Sequence, residues 1–234
     1  MRAWTSIHNG LVDLAGNIAH AHGLAVQPGN SQTLLCAAGQ RIFKSTDQGN
    51  DWTVVLNLGV LPTCVAFSPS VATTCYAATD HGTVFKSDNA GDDFTWNIPY
   101  GYWASPPQGV IAALAISHTD PNRLYIGYAQ FGVAHAWRSD DGGANWTNAS
   151  GTGAATLPDI PVSGLAVHHL NSDIVCAATD IGVFRTTDGG TTWQTFNDGM
   201  PRTVVSGLAY RSSSRTLYAS TMGRGAYYRG VWLG

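Results

Sequence analysis

Four copies of one eight-residue pattern, Ser/Thr-x-Asp-x-Gly-x-x-Trp/Phe, constrain this 234-residue chain more than any other feature. The first is built on Ser45, Asp47, Gly49 and Trp52, and the second on Ser87, Asn89, Gly91 and Phe94. The third uses Ser139, Asp141, Gly143 and Trp146, and the fourth Thr186, Asp188, Gly190 and Trp193. Asn89 stands in for aspartate in the second copy. Each copy reads as a hairpin turn. The carboxylate or amide at the third position can accept hydrogen bonds from turn N–H groups, and the hydroxyl at the first position does so more weakly. The glycine supplies a positive φ. The aromatic opens the next strand and buries a large ring against the neighbouring unit. These residues are expected to build structure rather than to carry chemistry.

The strands around each turn repeat as well. A short strand precedes every copy (Arg41–Lys44, Thr83–Lys86, His135–Arg138, Gly182–Arg185), and a second ends in small residues before it. Earlier still is a small, apolar strand whose first positions are Gly23, Cys64, Ala113 and Gly164, with Gly207 opening a fifth set. The spacing of about 40–50 residues is that of four-stranded blades in a propeller. The expected fold is all-β: a single five-bladed β-propeller of antiparallel four-stranded blades spanning 1–234. The blades are expected at 20–58, 61–98, 110–150, 162–200 and 204–230. The fifth lacks its repeat turn and outer strand. Trp4-Thr5-Ser6-Ile7-His8-Asn9-Gly10-Leu11 matches the outer-strand stretch Trp193-Gln194-Thr195-Phe196-Asn197-Asp198-Gly199-Met200 in pattern. Residues 1–11 are therefore expected to complete blade 5 and close the ring, which removes free sheet edges.

Composition supports this and excludes other classes. All 15 acidic residues are aspartate, there are two lysines (Lys44, Lys86), and glycine numbers 27. A chain without glutamate and with few lysines lacks the residues that favour helical surfaces. The net charge of -3 excludes a nucleic-acid partner held through phosphate neutralisation. No apolar run reaches the length of a membrane-spanning helix. The first residues lack the apolar core of a signal peptide, so an extracellular location is expected only if a leader has been removed. The four cysteines read as structural, with Cys36 and Cys176 expected at the position of Tyr76, Tyr125 and Tyr218.

The repeats resemble the bacterial neuraminidase repeat, or Asp-box, superfamily, which includes sialidases, xyloglucan-active glycoside hydrolases, sortilin-type receptors and photosystem assembly factors. The closest flavour is sortilin-type and xyloglucanase-type. The resemblance implies the propeller fold. A sialidase of this superfamily would need a tyrosine activated by glutamate, and the chain has no glutamate. The xyloglucan-active enzymes use two aspartates, one of which resembles the Asp of a Thr-Asp-x-Gly turn between second and third strands. Here Thr79-Asp80-His81-Gly82 and Thr179-Asp180-Ile181-Gly182 match it. The resemblance thus implies Asp80 and Asp180 as an acid and base, in an inverting arrangement if about 6.5–9.5 Å apart. In those enzymes two propellers each contribute one aspartate, whereas this chain holds one.

The face opposite the repeat turns collects the unusual side chains. Tyr100, Tyr102 and Trp103 lie in a Pro/Gly-bounded crossing, with Phe131, His81 and Arg224 in other loops. Aromatics there suit sugar rings or a protein partner, and Arg224 suits a carboxylate or sulfate. His20 and His22 read as loop residues, so no metal and no cofactor is expected. The favoured reading is a non-catalytic recognition or scaffold propeller that binds a glycan or protein on this face. The alternatives are an Asp/Asp inverting glycoside hydrolase, or a structural subunit of a larger extracellular assembly capable of self-association.

Overall fold

The computed structural model describes residues 5–93, 95–99 and 106–230. Five antiparallel sheets follow one another along the chain. Blade 1 holds β1 (Ala21–Gln27), β2 (Asn30–Ala38), β3 (Arg41–Ser45) and β4 (Thr53–Asn57). Blade 2 holds β5 (Pro62–Phe67), β6 (Cys75–Thr79) and β7 (Val84–Ser87), with a single bridge from Lys86 to Asn97 where an outer strand would run. Blade 3 holds β8 (Ile111–Ile116), β9 (Leu124–Tyr128), β10 (Ala136–Ser139) and β11 (Thr147–Asn148). Blade 4 holds β12 (Val162–Val167), β13 (Val175–Thr179), β14 (Gly182–Thr186) and β15 (Gln194–Thr195). Blade 5 holds β16 (Val205–Arg211), β17 (Thr216–Thr221) and β18 (Gly225–Gly230). The result is an all-β, propeller-like array of five blades.

Inner strands β1, β5, β8, β12 and β16 lie side by side in that order. Among the described residues no comparable contact joins β16 back to β1, and no sheet closes on itself. The sequence placed residues 1–11 beside the last blade. Residues 5–12 find partners on blade 1, as the stretch before blade 4 does on that blade: Trp52 donates its backbone N–H to Asn9 O (2.9 Å) and its indole N–H to Ile7 O (2.9 Å), and Trp193 donates its indole N–H to Ala149 O (2.7 Å). Arg41 donates to Val12 O (3.2 Å), and Leu11 and Ala19 are buried with Trp52 and Phe43. Among the described residues, β18 pairs with β17 alone.

The core lies between blades. Alternate residues of each second strand face opposite neighbours: Ala177 packs toward blade 3, while Cys176 and Ala178 pack toward blade 5. The two tyrosines facing forward also tie the blades by hydrogen bonds. Tyr76 Oη donates to Pro121 O (3.1 Å) and Tyr125 Oη to Ser172 O (2.8 Å). Pairing register corrects one expectation. Gly23 pairs with Ala37 as Cys64 pairs with Ala78 and Gly164 with Ala178. Leu35, not Cys36, therefore shares the place of Tyr76, Tyr125, Cys176 and Tyr218. A slip of one residue moves a side chain to the other face of the sheet, and Cys36 accordingly faces Leu11 and Trp52. All four cysteines are free thiols.

The repeat turns are organised around the hydroxyl. Ser139 Oγ accepts from Gly143 N (2.8 Å) and Asp141 N (3.3 Å) and donates to Asp141 Oδ1 (2.8 Å). Asp141 Oδ1 then accepts from Asn145 N (2.8 Å). The turns at Ser45 and Thr186 repeat every one of these bonds. In blade 2, Ser87 keeps the two N–H groups but bonds Thr95 instead of Asn89. The turn glycines sit at φ of 72–94°, a region that side chains other than glycine rarely tolerate. Phe94 lies outside the described residues.

Candidate functional site

The end of the array opposite the repeat turns is formed by the turns between second and third strands and by the blade-to-blade crossings. Asp80 follows β6 in blade 2, and Asp180 follows β13 in the same place in blade 4. A threonine holds each turn. Thr79 Oγ1 accepts from Thr83 N (3.1 Å) and His81 N (3.4 Å), and Thr179 Oγ1 donates to Gly182 O (2.7 Å) and accepts from Ile181 N (3.4 Å). The aspartates are not needed for this. Asp80 spends its backbone N–H on Leu61 O (3.0 Å), and among the described residues its carboxylate meets only the neighbouring His81 Nδ1 (2.6 Å). Asp180 is half-buried, and among the described residues its carboxylate has neither a hydrogen-bond nor an ion-pair partner.

Packing fixes the Asp80 turn from the side. Gly82 lies at φ +83°, and a Cβ there would fall 2.3 Å from Pro107 O. Only glycine lets the crossing into blade 3 approach so closely. The crossing is held from the other side by Tyr128 Oη, which donates to Pro107 O (2.6 Å), and by Gln130, whose Oε1 accepts from Val110 N (3.1 Å).

A third aspartate, which the sequence did not single out, stands at the same end. Asp159 lies on the crossing into blade 4. Its Oδ1 accepts from Gly132 N (2.7 Å) and from Nε2 of the buried His135 (2.9 Å). The Gly132 N–H first, and then His135, hold the Asp159 carboxyl below its usual range. Nothing in the local pattern Leu157-Pro158-Asp159-Ile160 marks it, because both partners come from the preceding blade's loop. Beside it Phe131 is exposed at 65%. His81 is exposed as well, and Arg224 lies exposed on the matching turn of blade 5, with no ion pair to Asp80 or Asp180 among the described residues. Tyr100, Tyr102 and Trp103 lie outside the described residues. Among the described residues no group of three or more His, Cys or Asp is placed to hold a metal ion. Among the described residues no helix is long and apolar enough to cross a membrane.

The chain is 27% identical over 212 residues to a xyloglucanase of Hypocrea jecorina, a match that takes in 89% of this chain and 22% of the relative. Among solved structures it is similar to an ancestral GH74 enzyme, with a TM-score of 0.69 and 18% identity over 94% of this chain and 29% of the other. It is also similar to the GH74 xyloglucanase of Xanthomonas campestris, with a TM-score of 0.60 and 14% identity over 96% of this chain and 47% of the other. The chain thus spans about a fifth of the relative it matches in sequence. No family model matches it. These likenesses establish the propeller architecture. They also correct the favoured functional reading: the sequence relative is named a xyloglucanase and three of the similar structures are named GH74 enzymes, which supports the glycoside-hydrolase alternative over a non-catalytic scaffold.

Proposed function

We propose that this chain is a glycoside-hydrolase propeller acting on a polysaccharide of the xyloglucan type, with Asp80 and Asp180 as its acid–base pair. The observation that carries the reading is local. Both Thr-Asp-x-Gly turns are closed by threonine, so both carboxylates are surplus to the fold and free for chemistry. Inverting hydrolysis needs a carboxylate that takes a proton from water and a carboxylic acid that gives one to the leaving oxygen. Asp80, with the His81 imidazole against it, suits the base. Asp180, in the equivalent turn two blades on, is the second carboxylate of the pair. Phe131 offers an exposed ring on which a sugar can stack. Its relatives are named for xyloglucan, and a glycan is the partner this face suits. The repeats themselves fit the Asp-box pattern, in a purely structural role.

The test is hydrolysis of xyloglucan by this chain, followed by new reducing ends, with Asp80→Asn and Asp180→Asn alongside. Removing either member of an acid–base pair lowers the rate by about 10²–10⁴-fold while leaving the fold intact. Variants that hydrolyse as fast as the parent would remove these two residues from the mechanism.

A further inference from the structure

The turn joining the first two strands of a blade is built alike in blades 2, 3 and 4. Its first residue donates its backbone N–H across the turn: Ser68 to Thr74 O (2.8 Å), Ser117 to Arg123 O (2.9 Å) and His168 to Ile174 O (2.9 Å). The side chain of that residue then accepts a backbone N–H from within the turn. Ser68 Oγ accepts from Val71 N (3.3 Å), and Ser117 Oγ from Thr119 N (3.1 Å) and Asp120 N (3.2 Å). In blade 4 an imidazole takes the place of the hydroxyl, and His168 Nδ1 accepts from Leu170 N (3.2 Å). All three residues are buried, His168 at 3% exposure. A serine hydroxyl does not titrate near neutral pH, whereas an imidazole does.

The Leu170 bond fixes the tautomer. An Nδ1 that accepts carries no proton, so the neutral ring holds its proton on Nε2. That atom is buried without a hydrogen-bond partner among the described residues. A second proton can enter only at Nδ1, where it meets the Leu170 N–H head on and finds no acceptor.

The surroundings offer the cation nothing. His169 of the same turn stacks on Tyr210 of blade 5 and bonds its Oη through Nδ1 (2.8 Å). The His168 ring lies 4.7 Å from that of His169 and 5.3 Å from that of Tyr210. His118 acts on it from the matching turn of blade 3, Arg185 from β14 and Arg215 from blade 5. Cys176 of β13 is a buried neutral thiol. The carboxylates of these two turns are occupied elsewhere: Asp120 Oδ1 accepts from Asn122 N (2.9 Å), and Asp173 pairs with Arg123 (2.6 Å). Among the described residues none of His118, His168 and His169 has a hydrogen bond or ion pair to a carboxylate. Burial first, and then His169, Arg185, Arg215 and His118, hold the His168 imidazole below its ordinary 6.5.

We propose that the blade 4 turn is an acid-sensitive clasp: a proton from solvent taken up on His168 Nδ1 breaks the bond from Leu170 N–H, opens the β12–β13 turn and loosens its hold on Tyr210 of blade 5. The turn also supports the blade 4 repeat, because Asp173 O accepts from Gly189 N (3.0 Å). A depressed folded value means that the unfolded chain takes the proton first. The stability that His168 contributes is therefore complete above about pH 6.5 and is lost as pH falls toward the folded value. Across that window the folding equilibrium is expected to weaken by up to about tenfold per pH unit, above the range in which carboxylates titrate.

NMR of the full chain between about pH 8 and pH 5 tests this, with urea midpoints taken over the same range. The His168 ring is expected to titrate below 6.5, and the Leu170 amide and Tyr210 ring to shift with the same midpoint. His168→Asn keeps an acceptor for the Leu170 N–H but cannot take the proton, and His168→Ser reproduces the turns of blades 2 and 3. In both, the fall of the urea midpoint with acid is expected to be smaller than in the parent. A His168 ring that titrates at or above 6.5, or a Leu170 amide that does not follow it, overturns the proposal. These readings need only the parent, so they decide the matter even where a variant fails to fold. A parent midpoint that stays level over this range, or a fall that persists undiminished in both variants, overturns it too.

Discussion

The repeat turns predict an order of importance opposite to the prominence of their aspartate. In blade 3, Ser139 is 1% exposed, and its hydroxyl is the acceptor for the buried Gly143 N–H at 2.8 Å. Ser139→Ala leaves that N–H buried without a partner, at a cost of about 1–3 kcal/mol. It also removes a longer bond from Asp141 N, a group at the wet end of the turn that water can serve. Asp141→Ala removes the bond from Asn145 N, also in an exposed stretch. Water replaces most of that interaction, so the cost is about 0.5–1 kcal/mol. For a chain of this length each kcal/mol is worth about 2–4 °C in Tm. Ser139→Ala should therefore lower the midpoint by about 2–12 °C, and Asp141→Ala by about 1–4 °C. Ser139→Thr should restore most of the loss, because Thr186 makes the same bonds in blade 4. Blades of a repeat array can open separately, so thermal melts should be paired with hydrogen exchange at the Gly143 amide. Ser139→Ala should strip its protection and Asp141→Ala should not. If the aspartate variant costs as much as the serine variant, the hydroxyl-centred account of the turn is wrong.

Three further predictions follow from packing and charge. Tyr125→Phe keeps the ring but leaves Ser172 O without its donor, so it should cost about 1–2 kcal/mol in urea denaturation; no change would mean water already serves that carbonyl. Burial pushes the thiols of Cys75 and Cys176 up to about 12, so a thiol reagent at neutral pH should label them only as fast as the chain unfolds. Rapid stoichiometric labelling of the native protein would contradict that burial. The Asp51 N–H and the Ser45 hydroxyl hold Asp47 below its ordinary 3.8. For Asp188, burial pushes up, but Thr192 and Thr186 outweigh it and hold the carboxyl below the same value. A depressed folded value means that the unfolded chain binds protons first, so this stability is complete above about pH 3.8 and is lost as pH falls through the lower folded values. The urea midpoint should fall with acidification below about pH 4, and Asp188→Asn should flatten that fall.

Much of the architecture was legible because the repeat fixes it at short range. Ser-x-Asp-x-Gly dictates a turn through bonds within five residues, and the small-residue strands before each turn locate the inner positions at Gly23, Cys64, Gly164 and Gly207. Two things were not legible, and both depend on other blades. The register of β2 rested on a run of small residues, Cys36-Ala37-Ala38, that fits equally well one place over; only pairing with Gly23 decides it. Closure of the ring is the other: it needs contact between the first and last blades, which no local pattern carries and which no strand pair makes among the described residues. The candidate site shows the same limit. Asp80 and Asp180 were visible through their Thr-Asp-x-Gly turns. Asp159 was not, because His135 and Gly132 reach it from a loop more than twenty residues earlier. The aspartate at the third place in three of the four repeats serves the turn, as its pattern implies, and leaves the catalytic question to turns at the opposite end.

The account's central claim, that the chain is a hydrolase whose acid and base are Asp80 and Asp180, is tested most directly by the anomeric form of its first product. Proton NMR on a freshly mixed sample of xyloglucan and protein should show new reducing ends whose configuration is inverted from that of the cleaved bond, with Asp180→Asn giving none on the same timescale. A folded protein that releases no reducing ends, or an Asp180→Asn variant that releases them at the parent's rate, would contradict it.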